Sequence, residues 1–183
     1  MKKIETERLL LREWLAEDLA PFAKINQDPK VLECLLKPLS DEETANLVKD
    51  FQKHFQAHGY GFYACVPKET GICVGFVGLR VVPFKTHFTP AVEIGWRLAS
   101  DAWGKGYATE AAKAVLTHAF EKLHLQEIVA FTVPKNFRSI RVMEKIGMSR
   151  DLEGDFEHPL VPFGHPLRHH ILYRIHNEQS QKA

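Results

Sequence analysis

The sequence has no long apolar run. Nowhere does it approach the roughly 20 consecutive apolar residues that a helix needs to cross a bilayer, so no membrane partner is expected. It has almost no excess of one charge: 24 Lys and Arg against 23 Asp and Glu leave a formal net charge of +1. No basic block stands out, and phosphate backbones need clustered cations, so no nucleic-acid partner is expected either. Cysteine is scarce. Cys34, Cys65 and Cys73 are an odd, scattered set, which argues against a disulfide framework and for reduced thiols in a cytoplasmic protein. The first residues, MKKIETERLLLREW, turn charged again too soon to form the apolar stretch of a secretory signal. Internal repeats and low-complexity segments are absent. What remains is a chain of 183 residues, 45% hydrophobic and 26% charged, the profile of a globular domain long enough to bury a core. The expected organisation is a single domain over 1–176 and a polar tail over 177–183.

Apolar periodicity divides the domain. A strand is expected over 9–14 and a short helix over 17–26, ended near Asp28 and Pro29 because proline disfavours helix in the residue before it. Ser40 with Glu43 three residues on forms a capping box, and a helix follows to about His58, stopped by Gly59. Aromatic and β-branched residues mark strands over 60–66, 73–82 and 91–98. The clearest helix places Ala108, Ala111, Ala112, Val115, Leu116 and Ala119 on one face. A strand over 127–133, a helix over 136–146 and strands near 148–156 and 169–175 complete the order. The order is not a strict strand–helix alternation. It predicts an α+β domain with a mixed, mostly antiparallel sheet of about six to seven strands and about four helices.

The segment from Glu93 to Glu110 carries the chemistry. An extended run enters a turn containing Gly104 and Gly106, and the turn opens the strongest helix. The first N–H groups of a helix have no partner within it, and the macrodipole gives that end partial positive charge. Glycines remove the side chains that would hold a phosphate away from the backbone. Two glycines before a helix also make an ordinary tight turn, so the pattern alone leaves both readings open. The glycine spacing of a dinucleotide-binding fingerprint and the P-loop pattern are both missing.

Trp103-Gly-Lys-Gly-Tyr-Ala108 resembles the pyrophosphate motif of the GNAT superfamily of N-acetyltransferases, with Trp where the usual form has Gln or Arg. That replacement is typical of its RimJ/RimL-like branch, which acetylates ribosomal-protein N-termini, and of its relatives. Glu5-Thr-Glu-Arg-Leu-Leu-Leu-Arg12, Asn136-Phe-Arg-Ser-Ile-Arg-Val-Met-Glu-Lys-Ile-Gly147 and Leu172-Tyr-Arg174 resemble three further segments of that branch, in order along nearly the whole chain. The resemblance implies a GNAT fold and an acetyl-CoA-dependent transferase acting on a primary amine, either a protein N-terminus or a small molecule. No metal is expected, and a monomer or homodimer is. Carried over, Trp96, Arg97 and Leu98 hold the pantetheine amides through their backbone. Gly104, Lys105, Gly106, Tyr107, Ala108 and Thr109 hold the pyrophosphate, and Asn136 contacts the cofactor arm, although it also suits a plain helix cap. Glu93 is the candidate base, with a salt-bridged strand-end carboxylate as its alternative. Many relatives place a Tyr acid where this chain has Met143, so Ser139 is the candidate substitute, with an ordinary polar helix residue, or thiolate release into water without an acid, as the alternatives. A non-catalytic acyl-CoA-binding module is the competing reading. His158, His165, His169 and His170 flank a proline-rich loop, where a solvated loop or a substrate wall is expected ahead of a metal site.

Overall fold

The computed structural model describes residues 2–177. The elements are β1 (Lys3–Glu5), β2 (Leu9–Arg12), α1 (Leu19–Gln27), α2 (Pro29–Leu32), α3 (Asp41–His58), β3 (Phe62–Pro67), β4 (Gly75–Val81), β5 (Val92–Leu98), α4 (Tyr107–Glu121), β6 (Glu127–Thr132), α5 (Phe137–Lys145), β7 (Ser149–Glu157) and β8 (His169–His176). The fold is α+β. Its eight strands form one mixed sheet in the order β1-β2-β3-β4-β5-β6-β8-β7. Every neighbouring pair is antiparallel except β5 and β6, which run parallel and pair only at Glu93↔Val129.

The strand and helix counts exceed expectation by short elements. β1 has only three residues, too few for alternation to register, and α2 begins at Pro29 itself. Proline stops α1 yet suits the first position of the next helix, and the Asp28 side chain caps it by accepting from the Lys30 N–H. The capping box at Ser40 forms as the sequence indicated: Glu43 N–H donates to Ser40 Oγ, and the Glu43 carboxylate accepts from Ser40 N–H. Gly59 closes α3 in the left-handed conformation, φ 78°. Trp14, expected in the first strand, lies beyond it and donates its indole N–H to Phe62 O at 2.7 Å.

Alternation of side chains across the sheet creates two faces. Leu9, Leu11, Tyr63, Val77, Leu79 and Ile94 face α4, whose apolar stripe is Ala111, Ala112, Val115 and Ala119. The opposite face carries Phe62, Ala64, Val66 and Phe76, covered by Phe22 and Ile25 of α1 and Val48 and Phe51 of α3. No helix among the described residues is long and apolar enough to cross a membrane. Of the polar tail expected from Asn177, all but Asn177 lies outside the described residues. Asn177 itself is buried, and its N–H donates to Gln126 O at 2.9 Å.

Candidate functional site

Past Glu93, β5 has no strand partner on its β6 side, and a cleft of about 620 Å³ opens there. The ladder shows which backbone groups meet it. Val82 N–H donates to Ala91 O, and Ala99 N–H donates to Val74 O. Residues 91 and 99 thus turn toward β4 at both ends of the strand, and a two-residue period gives Glu93, Gly95 and Arg97 the same orientation. Ile94, Trp96 and Leu98 turn their backbone groups the other way. Of the three residues assigned to the pantetheine by resemblance, Trp96 and Leu98 therefore face the cleft, while Arg97 has its backbone committed to β4. The Leu98 carbonyl is in addition engaged by the Trp103 indole N–H at 2.9 Å. What Arg97 offers the cleft is its side chain, a correction to its expected role.

Beyond β5 the chain makes the predicted turn. Gly104 (φ 76°) and Gly106 (φ 82°) both take the left-handed conformation, which glycine adopts without a Cβ penalty. A Cβ on Gly104 would meet nothing within 4 Å, so the approach to the turn is open. Gly106 caps α4 without any side-chain acceptor, leaving the first helical N–H groups directed outward. Lys105, Tyr107, Ala108 and Thr109 place their backbone in this turn, but the Tyr107 side chain is buried and its hydroxyl donates to Glu69 at 2.9 Å.

What pins the turn is not legible in any local pattern. Arg8 donates to Lys105 O at 2.9 Å and pairs with Glu110 at 2.6 Å, while Thr6 Oγ1 donates to Glu110 at 2.5 Å. The link between β1 and β2 thus fixes the mouth of α4. Arg138 was also unforeseen: its guanidinium lies 4.4 Å from the Trp103 ring centroid, and it pairs with Glu33 at 3.6 Å. These contacts join residues 35 to 105 positions apart, which no local pattern reveals.

Asn136 is the N-cap of α5: its Oδ1 accepts from Ser139 N–H at 3.2 Å, and its Nδ2 donates to Thr132 Oγ1 at 3.0 Å. It also lines the cleft, so cap and wall coincide. Ser139 lines the same cleft, and its Oγ accepts from the Trp96 indole N–H at 3.3 Å. Met143 is buried in the core.

Glu93 stands on the opposite face of β5 from Trp96. Burial pushes its pKa up to about 7, and its cross-strand neighbour Arg80 opposes this only in part. No cation of the described residues forms an ion pair with it, so the salt-bridged alternative is not realised. Arg97, on the same face, is partly buried. Its Nη1 donates to Asn26 Oδ1 at 2.8 Å, its guanidinium lies 5.6 Å from the Phe76 ring centroid, and burial lowers its pKa to about 10.

The histidines divide. His158 and His170 line the cleft with Phe131, their ring centroids 4.9 Å apart, and burial lowers both, His158 to about 4. His165 accepts from Leu167 N–H, and His169 lies against Glu157 and Asp155. Among the described residues no group of three His, Cys, Asp or Glu is placed to hold a metal ion.

Comparison with known proteins bears on the fold and the family. The family model for the acetyltransferase (GNAT) domain matches residues 8–149. The uncharacterized N-acetyltransferase YnaD of Bacillus subtilis is 31% identical over 96% of this chain and 98% of its own. The FsC-acetyl coenzyme A-N(2)-transacetylase of Aspergillus fumigatus is 30% identical over 69% of this chain and 56% of its own. A solved GNAT-family acetyltransferase from Bacillus anthracis superposes with a TM-score of 0.78 at 31% identity, covering 97% of this chain and 99% of that one.

Proposed function

Because the chain belongs to the GNAT acetyltransferase family, we propose that it transfers an acetyl group from acetyl-CoA to a primary amine, with Glu93 as the base. The observation that carries this reading is the cleft itself. One opening joins a bare helix N-terminus, an unpaired strand edge and a carboxylate raised to about pH 7.

The residues fit the co-substrate. The open space at Gly104 admits a diphosphate against the N–H groups of residues 104–109. The cleft-facing backbone groups of Trp96 and the Leu98 N–H suit the amides of a pantetheine arm. Bound there, acetyl-CoA supplies an activated thioester. This chain's own residues do the rest. A protonated amine cannot attack, and Glu93 takes its proton directly or through one water. A cleft-facing β5 N–H stabilises the charge that grows on the carbonyl oxygen. Ser139 already accepts from Trp96, so its own O–H is left to donate toward the departing sulfur. Glu93 and Ser139 reach the cleft from opposite faces of β5, as a base on the acceptor side and a donor on the thiol side require. The acceptor is a protein N-terminus or a small-molecule amine, and Trp103 with the Asn136–Gly147 segment supports a RimJ/RimL-like reading. The second reading, a non-catalytic acyl-CoA-binding module, draws on Met143, whose buried thioether cannot replace a tyrosine acid.

Thiol release from acetyl-CoA, measured against a panel of amines and N-terminal peptides, tests the proposal. Glu93→Gln is expected to lower turnover about 100-fold or more with CoA affinity unchanged, and Ser139→Ala to lower it about 10-fold. Turnover unchanged in both variants would remove these assignments, and no turnover with any amine in the wild type would favour the binding module.

A further inference from the structure

We infer that Arg97 makes the cleft selective for amine acceptors that carry a carboxylate at the end remote from the amine. The inference rests on the transferase reading and names the acceptor's chemistry.

An arginine within a protein ordinarily meets a carboxylate, because the cost of taking a guanidinium out of water is several kcal/mol and needs an opposite charge to offset it. Arg97 has none. Its hydrogen-bond partner is the neutral amide of Asn26, and its other support is the face of Phe76. Among the described residues no acid pairs with it; of the acids that line the cleft, Glu33 pairs with Arg138. Nη1 is used, while Nε and Nη2 make no hydrogen bond with the described residues and belong to a side chain that lines the cleft. A guanidinium presents its donors as a planar fork that matches a carboxylate.

The fork is also held in place. Asn26 is buried and donates from Nδ2 to the buried Thr44 hydroxyl at 3.1 Å, which leaves Oδ1 facing Arg97. The chain Thr44–Asn26–Arg97 thus ties the guanidinium to α1 and α3 while Phe76 supports it from the sheet. Three elements converge on a cation that satisfies no acid of its own.

Position decides which anion it awaits. Arg97 projects from the same face of β5 as Glu93, not from the face that packs on α4. The two residues are four apart, so their Cα atoms are separated by about 13 Å of strand. No ion pair joins the two side chains among the described residues, so an acceptor whose amine and carboxylate stand several bonds apart suits the pair better than an α-amino acid, which carries both on one carbon. The acceptor that fits has an amine at one end and a carboxylate several bonds away, as in an ω-amino acid or a short peptide with a free C-terminus.

The test uses straight-chain ω-amino acids and unbranched alkylamines of matched length, with short peptides bearing free or amidated C-termini. Binding to the CoA-loaded protein is measured by calorimetry, and acetylation by thiol release. In the wild type, the carboxylate-bearing member of each pair is expected to be favoured about tenfold or more once the chain is long enough. In Arg97→Gln that ratio falls to about one, and in Arg97→Lys, which keeps the charge and loses the fork, it falls part-way. Equal binding of acids and alkylamines at every length in the wild type overturns the inference without recourse to any variant. So does a loss of CoA affinity in Arg97→Gln with acceptor preference intact, which would assign the guanidinium to the coenzyme. A carboxylate preference in binding, lost in Arg97→Gln, with no acetylation at all upholds the inference while the transferase reading fails.

Discussion

Glu93 and Arg97 show how much one strand position decides. Both are odd-numbered on β5, so both turn backbone groups to β4 and side chains to the face beneath α1 and α3. For Glu93 the consequence is a pKa near 7 set chiefly by burial. A base works only when deprotonated, so kcat is expected to rise with pH up to about 7 and then level, and Glu93→Gln to abolish that rising limb. The same shift affects stability. The folded pKa lies above the ordinary value of 4.5, so the native state holds this proton more tightly than the unfolded chain, and stability falls as pH climbs from about 4.5 through 7. Glu93→Gln is therefore expected to stabilise the protein at pH 8 by roughly 2–3 kcal/mol and to change little at pH 4, as read by urea unfolding at both. An unchanged urea midpoint at pH 8 would mean the carboxylate is better solvated than the cleft suggests. Glu93 was visible in the sequence as a carboxylate opening an apolar strand. Arg97's side-chain role was not, because its neighbours Asn26 and Phe76 come from elements 71 and 21 positions away, and only the sheet register shows which face it takes.

At the scale of elements, the turn before α4 carries most of the expectation. Its glycines were legible because positive φ and close backbone approach need the same residue type at the same place. A valine at Gly106 would bear strain at φ 82° and put its Cβ 3.4 Å from Arg8 Nη2. Gly71, at φ 67° with open space around it, lies in the β3–β4 turn and serves as the control for strain alone. Gly106→Val is expected to weaken CoA binding about 100-fold or more by calorimetry, and Gly71→Val to leave it intact. Equal, small losses in both would show that the turn does not cradle the diphosphate. The elements that escaped the sequence reading are the short ones. β1 owes its existence to pairing with β2, and α2 to the cap that Asp28 provides, and neither shows a full period of apolar residues. The other turn residues found only in the structure, Arg8, Glu110 and Thr6, form a contact across the sequence, which local patterns cannot anticipate.

For the whole molecule, the decisive feature is a parallel pair that separates after one register position. Antiparallel neighbours hold β5 on one side and β6 on the other, α4 occupies the crossover between them, and α5 follows β6. The gap connects the face covered by α4 with the face covered by α1 and α3, so a donor and an acceptor can meet from opposite sides of the sheet. This is what distinguishes the cleft from a surface groove, and it explains why Ser139 and Glu93 reach one space from two layers. The coenzyme is expected to lie in this gap with its diphosphate on the N–H groups of residues 104–109, and a crystal structure of the protein with CoA is the decisive measurement. The expected result is a diphosphate against that turn, a pantetheine arm along Trp96 and Leu98, and the sulfur between Glu93 and Ser139. Coenzyme bound elsewhere, or a turn whose N–H groups are taken up by protein atoms, would contradict the claim.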